Sequence, residues 1–329
     1  MLKEKMTLLD VYKARTNIAP IIWKTPLVES PELGARSNAT VLLKLESQQR
    51  TGSFKLRGAT NKMLGLSAEE LSRGVVAVSS GNHGRAVALG AKRLGIRAVI
   101  CLSERVPKIK VEAIKRLGGE VVVHGDCYDA AEQHALKIEQ EQGLTPVPSF
   151  DDPLIIAGQG TVGLEILEDW PEIDTAIVPL AGGSIFNGVA LVLKSADPSI
   201  RMVGVTMDRA PVMYQSLKAG KPIEMEETPT LADALAGGIG GEHNRYTFEL
   251  TKHFIDEYVL VSEEEIAAAM VFALKEHKIA IEGAGAVGIA AVLHEKVQDL
   301  GKNVAVVVTG SNVDMRLLID IAQGRLPYP

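Results

Sequence analysis

Val75-Val76-Ala77-Val78-Ser79-Ser80-Gly81-Asn82-His83-Gly84 holds a strand, a polar turn and a helix start in one short stretch. The apolar run suits a strand buried on both faces, and the polar cluster ends it. Arg85–Leu94 then carries a helical pattern. The same alternation runs outward in both directions. Apolar runs at Ala98–Leu102, Val121–Val123, Ala176–Val178, Met202–Val205 and Val304–Val308 are short, rich in Val and Ile, and bounded by glycine or charge. Between them Lys110–Leu117, Ala130–Gln142 and Glu263–His277 read as helices. Ser262 with Glu265, and Ser67 with Glu70, make capping boxes. Ile266, Met270 and Leu274 recur every fourth residue as a buried stripe. Strand–helix alternation throughout predicts an α/β fold with mostly parallel sheets.

At roughly 150 residues per domain, a chain of 329 residues holds about two. Ser72-Arg73-Gly74 and the proline-rich Thr145-Pro146-Val147-Pro148 bracket a compact strand–helix unit. Its flanks share one pattern. The expectation is a small α/β domain, residues 74–148, inserted into a large domain formed by 1–73 and 149–329.

Lys plus Arg number 35 against 41 Asp plus Glu, a net charge of −6 that argues against a nucleic-acid partner. No apolar run reaches the roughly 18 residues of a membrane helix, and the amino terminus has no signal-peptide pattern. Only Cys101 and Cys127 are present, which suits a reducing cytoplasm. Glycine is plentiful, at 31 residues, and aromatic residues make up only 4%, a composition for tight loops around a small ligand.

Gly283-Ala284-Gly285-Ala286-Val287-Gly288 fits G-x-G-x-x-G, but no acid ends the following strand at Asn303–Val308, where a dinucleotide's ribose would need one. The glycines read better as close helix packing. Pro179-Leu180-Ala181-Gly182-Gly183-Ser184 ends a strand in small residues before a helix, so backbone N–H groups can converge on an anion, with the Ser184 hydroxyl beside them. Ser79–Gly84 offers N–H groups and four polar side chains, suited to a carboxylate. Ser53-Phe54-Lys55-Leu56-Arg57-Gly58-Ala59 sets a lysine among apolar neighbours, where its pKa can fall and it can form a Schiff base.

In this order, with Ala157-Gly158-Gln159-Gly160-Thr161 and Thr309-Gly310-Ser311-Asn312-Val313-Asp314, these elements resemble the fold-type-II pyridoxal-phosphate enzymes. The likeness is to the threonine/serine dehydratase and serine racemase branch, over essentially the whole chain. Leu231–Gly240 is also similar to the hydroxyectoine-utilisation dehydratases. The resemblance implies a tryptophan synthase β-like architecture of two open, mostly parallel-sheet domains with pyridoxal 5'-phosphate in the cleft between them. It implies that Lys55 is the Schiff-base lysine and proton shuttle. Phe54 would lie against the pyridine ring, Asn82 would bond the phenolic oxygen, and Thr309 would face the pyridine nitrogen. Ala181, Gly182, Gly183 and Ser184 would hold the phosphate. Ser79, Ser80 and His83 would receive the substrate carboxylate. A hydroxyl at Thr309 cannot stabilise a pyridinium as an aspartate would, which favours prompt β-elimination.

The activity so implied is dehydration of a 3-hydroxy amino acid, by default L-threonine or L-serine, to a 2-oxo acid and ammonia by a cytoplasmic homodimer. Serine racemase and a hydroxyectoine-pathway dehydratase are the alternatives, and a nucleotide-dependent oxidoreductase lies outside the class. Ser80 occupies the position of the racemases' second acid/base. Departures from the family are few. Ala181 and Ser184 flank two glycines where four are common, and Ala234 stands where glycine is usual. Thr206 and Val212 replace the racemases' acidic metal ligands, so no metal site is expected.

Overall fold

The computed structural model describes residues 6–328, the side chain of Asp129 aside. Its strands are β1 Leu27–Glu29, β2 Thr40–Lys44, β3 Val75–Val78, β4 Ala98–Leu102, β5 Glu120–Val123, β6 Thr145–Pro146, β7 Thr175–Pro179, β8 Arg201–Met207, β9 Glu257–Val261 and β10 Asn303–Val307. They form two sheets. One runs β1-β2-β10-β7-β8-β9, with every pairing parallel except β1 with β2. The other runs β5-β4-β3-β6 and is parallel throughout. The α/β class and the parallel sheets expected from the sequence are therefore present. Each apolar run read as a strand lies in one, to within a residue or two.

Side chains on a strand alternate between faces, and the larger sheet sorts them accordingly. Ile177, Val304 and Val306 enter a core with helix Gly283–Leu293. Ala176, Val178, Ala305 and Val307 enter the opposite core with Phe186, Val189 and Leu193 of helix Ser184–Ala196. The capping boxes at Ser67/Glu70 and Ser262/Glu265 are both formed; a cap of this kind is worth about 1 kcal/mol.

Thr145-Pro146, at the expected end of the inserted unit, forms the edge strand β6, which pairs with β3. Proline has no N–H to give a ladder, and an edge is where a sheet tolerates it. The core beneath the smaller sheet also takes residues from outside 74–148: Leu56, Ala59 and Met63 of helix Lys55–Leu64, and Ile155 of helix Pro153–Asp169. In Gly283–Leu293 the glycines are packing glycines. A Cβ on Gly285 would lie 2.7 Å from Gly310 O, one on Gly288 2.8 Å from Val306 Cγ1, and one on Gly283 would collide with the backbone of Leu231. The fingerprint-like spacing there serves helix-to-sheet contact.

Candidate active site

The loops singled out in the sequence follow the carboxyl ends of parallel strands, where α/β sheets leave room for ligands. Ser79–Gly81 follows β3, Leu180–Gly183 follows β7, and Val308–Gly310 follows β10. Lys55 opens the helix Lys55–Leu64. Phe54 N–H donates to Thr309 O (3.1 Å), and Ser53 bridges Gly310, so the lysine is pinned beside the end of β10.

The Lys55 amine donates to Ser149 O at 2.6 Å and lies 5.3 Å from the centre of the Phe54 ring. Burial lowers its pKa to about 8. More of the amine is then unprotonated at neutral pH than in a lysine at its ordinary value. His83 is buried, and its Nε2 lies 2.7 Å from Val147 O. A carbonyl only accepts, so Nε2 carries the hydrogen. Burial, with Lys55 nearby, holds the ring down to about 3, so it is neutral. The ring of His83 is thus committed to the framework, and its backbone N–H in the first helical turn is the group left for an anion. Ser79 and Ser80 are half-buried, and the space beside the Cα of Gly81 is open.

Gly183 has φ +88°, a left-handed conformation open to glycine at little cost. It caps helix Ser184–Ala196, and Ser184 is buried at its first turn. Asn187 holds this loop from behind: its Nδ2 donates to Thr247 O (2.9 Å), and its Oδ1 accepts from Thr251 Oγ1 (3.1 Å). Thr309 Oγ1 lies 3.3 Å from Ala284 O, long for a hydroxyl bond, so the hydroxyl is weakly held.

Asn82 is buried between two partners. Its Nδ2 donates to Glu282 Oε1 and its Oδ1 accepts from Asn312 Nδ2, both at 2.6 Å. Burial, reinforced by Asp233, pushes the Glu282 carboxyl up to about 7, against the pull of Asn82, the Asn312 N–H and Arg85. Sequence reading missed Glu282. Its signal was a lone acid in the apolar run Ile279–Leu293. It also missed the short segment that joins the loops. Ser149 O accepts from Lys55, and the ring of Phe150 lies where a Cβ on Gly182 would fall. The Asp151 carboxylate accepts from the N–H groups of Arg245, Tyr246 and Thr247 at 2.6–2.9 Å.

The helix bearing Lys55 is tied down by a buried ion cluster. Arg57 donates to both Glu46 oxygens, each at 2.8 Å, and to both Glu165 oxygens at 2.7 and 2.9 Å. Lys44 Nζ donates to Glu165 Oε2 (2.6 Å) and Thr25 O (2.7 Å). Two cations face two carboxylates, so the charges balance.

A family model described as pyridoxal-phosphate dependent enzyme matches residues 18–310. An L-threonine ammonia-lyase of Thermotoga maritima is 43% identical over 313 residues, 95% of this chain and 77% of that protein. Maize serine racemase superposes with a TM-score of 0.91 at 35% identity, covering 98% of each chain. The processed form of threonine deaminase isoform 2 from Solanum lycopersicum gives 0.88 at 34% identity, covering 97% of this chain and 90% of that one. The chain belongs to the pyridoxal-phosphate dependent enzymes, and its fold is of type II.

The residues present fit that cofactor. A buried, easily deprotonated amine that bonds a carbonyl suits an aldehyde carbon. A helix amino terminus with a left-handed glycine and a buried serine suits a phosphate. Among the described residues no group of three or more His, Cys, Asp or Glu is placed to hold a metal ion, and no helix is long and apolar enough to cross a membrane.

Proposed function

We propose that this protein is an ammonia-lyase that converts a 3-hydroxy amino acid, by default L-threonine or L-serine, to a 2-oxo acid and ammonia. The observation that carries the reading is the buried Lys55 amine, with a pKa of about 8, hydrogen-bonded to Ser149 O next to the Phe150 that packs against Gly182. Relatives named for threonine ammonia-lyase and threonine deaminase activity support it.

In this reading pyridoxal phosphate, when bound, supplies the electron sink that makes the substrate Cα–H acidic. Lys55 would hold the cofactor's aldehyde carbon, and its amine would act as the general base for the Cα proton. Ser79, Ser80 and the first-turn N–H groups at Asn82 and His83 hold the substrate carboxylate. Phe54 would lie against the cofactor ring, Asn82 would donate to its phenolic oxygen, and Thr309 would stand at its ring nitrogen. Ala181, Gly182, Gly183 and Ser184 would hold its phosphate. Residues 74–148 form a small domain inserted into a large one made of 1–73 and 149–329. Hydrogen exchange that changes as a block across 74–148 on substrate binding checks that division. The chain works as a homodimer in the cytoplasm; a monomer in sedimentation would overturn the first half of that statement.

The test of function is a panel of 3-hydroxy amino acids, assayed for 2-oxo acid, ammonia and the inverted enantiomer. Threonine or serine turnover with both products is the expected result, and negligible turnover of both overturns it. A second reading, serine racemase, draws on the TM-score of 0.91 to the maize enzyme and on Ser80 at the cleft. It requires D-serine formation that disappears in Ser80→Ala while elimination persists.

Gly182→Ala tests the phosphate loop. The new Cβ would fall 2.6 Å from Phe150 Cγ, so either the ring or the loop must shift. Overpacking of this kind costs about 1–3 kcal/mol. Cofactor retention on dialysis should drop about tenfold or more, with little change in the far-ultraviolet circular dichroism.

A further inference from the structure

Four side chains form a one-way hydrogen-bond chain that ends on Glu282. Arg85 NH1 donates to Asn312 Oδ1 (2.7 Å), Asn312 Nδ2 donates to Asn82 Oδ1 (2.6 Å), and Asn82 Nδ2 donates to Glu282 Oε1 (2.6 Å). The Arg85 end sets its direction: a guanidinium only donates, so Asn312 must turn its oxygen to it. Arg85 therefore fixes the oxygen of Asn312, whose nitrogen is also held by Thr51 O at 2.9 Å. That nitrogen fixes the oxygen of Asn82, and Glu282 receives the nitrogen. Of the two N–H bonds on Asn82 Nδ2, one is spent on Glu282 and one is left. Chains of this kind polarise each successive donor.

Glu282 is expensive to keep here. It is 5% exposed, and its contacts are neutral N–H groups: Asn82 on Oε1 and the Asn312 backbone on Oε2, at 3.1 Å. A buried carboxyl without a contacting cation destabilises the fold. The chain even leaves room for it, because a Cβ on Gly310 would collide with Glu282 Oε1. Helix Gly283–Leu293 does not use the side chain as a cap. The side chain's two hydrogen bonds both go to the asparagine chain, so its place in the structure is tied to the orientation of Asn82.

We propose that Glu282 is a positioning residue: it locks the amide of Asn82 in one orientation, so that the remaining N–H is held for the cofactor's phenolic oxygen. The proposal rests on the reading of Asn82 given above. The loss of Asn82's partner should therefore matter only while Asn82 is present.

The test compares wild type, Asn82→Ala, Glu282→Gln and the double variant. For each, the affinity of the apoprotein for pyridoxal phosphate is measured by equilibrium dialysis, together with the absorption maximum of the bound cofactor and the thermal midpoint. Glutamine has Glu282's shape but presents a donor to one of the two N–H groups that Glu282 accepts. Each single variant should weaken cofactor binding about tenfold and shift the absorption maximum, and the double should be no worse than Asn82→Ala alone. Binding within about twofold of wild type in Glu282→Gln, with Asn82→Ala impaired, overturns the role of Glu282 and leaves the reading of Asn82 intact. Additive losses, about a hundredfold in the double, do the same. A silent Asn82→Ala overturns both. Should Glu282→Gln fail to fold, Glu282→Asp, which keeps the charge one methylene short of Asn82, carries the same expectations.

Discussion

Lys55→Ala should lower the formation of 2-oxo acid from threonine or serine by more than about a thousandfold. General-base catalysis alone accounts for about 10²–10⁴, and the covalent hold on the cofactor goes with it. The purified wild-type protein should be yellow with cofactor bound, and the variant should lose that absorption band. The fold should survive, since among the described residues the Lys55 amine bonds Ser149 O and makes no ion pair. Added primary amines should recover part of the activity, because they can occupy the space the side chain vacates. Turnover unchanged in Lys55→Ala would remove this residue from the mechanism, and with it the reading of the whole site.

The second large effect is on stability. Glu165→Ala should cost about 3–5 kcal/mol, the range for breaking a buried ion pair from one side. Its removal leaves Arg57 and Lys44, 1% and 0% exposed, facing Glu46 as the one remaining carboxylate of the cluster. A buried positive charge is then uncompensated. Urea unfolding of the apoprotein measures the loss, and a change under about 1 kcal/mol would show that water or a shifted side chain replaces the carboxylate. The pH dependence has a defined sign. Burial pushes the Glu165 carboxyl up, but Arg57 and Lys44 outweigh it and hold it below the ordinary carboxylate value. The unfolded chain therefore takes up a proton first on acidification. The contribution of Glu165 is fully present above about pH 4.5 and fades as pH falls through its lower folded value. The gap between wild type and Glu165→Ala should narrow in the same range. Arg57 sits two residues after Lys55, so a loosened cluster should also weaken cofactor binding.

Much of the fold was legible because it is written in near neighbours. Strand periodicity, capping boxes and glycine loops involve residues a few positions apart, and β3, β4, β5, β7, β8 and β10 are each marked by their apolar runs. Pro153–Asp169 was harder. Asp152 caps it and Pro153 starts it, both readable signs, but Gly158, Gly160 and Gly163 lower its intrinsic helix propensity. Their purpose lies in other helices. A Cβ on Gly158 would fall 2.6 Å from Gly58 Cα, and one on Gly160 would fall 3.0 Å from Gly188 O. Backbones meet there closely enough to outweigh the lost propensity. The proline of the edge strand β6 reads locally as a stop signal, and only the pairing with β3 makes it a strand.

By itself the sequence determined the α/β class, the order of the loops and the identity of the groups the chemistry needs: a lysine among apolar residues, a polar turn and a glycine-rich helix start. Tertiary structure alone decided what those groups are next to. Lys55 acquires its low pKa from burial, which no neighbour in sequence supplies. His83, read as a carboxylate ligand, has its ring turned to Val147 O, and Asn82 meets Glu282 from 200 positions away. Periodicity is a property of adjacent residues and can be counted along the chain. Desolvation and hydrogen bonding depend on distance in space, and that is set only when the two sheets and their helices come together.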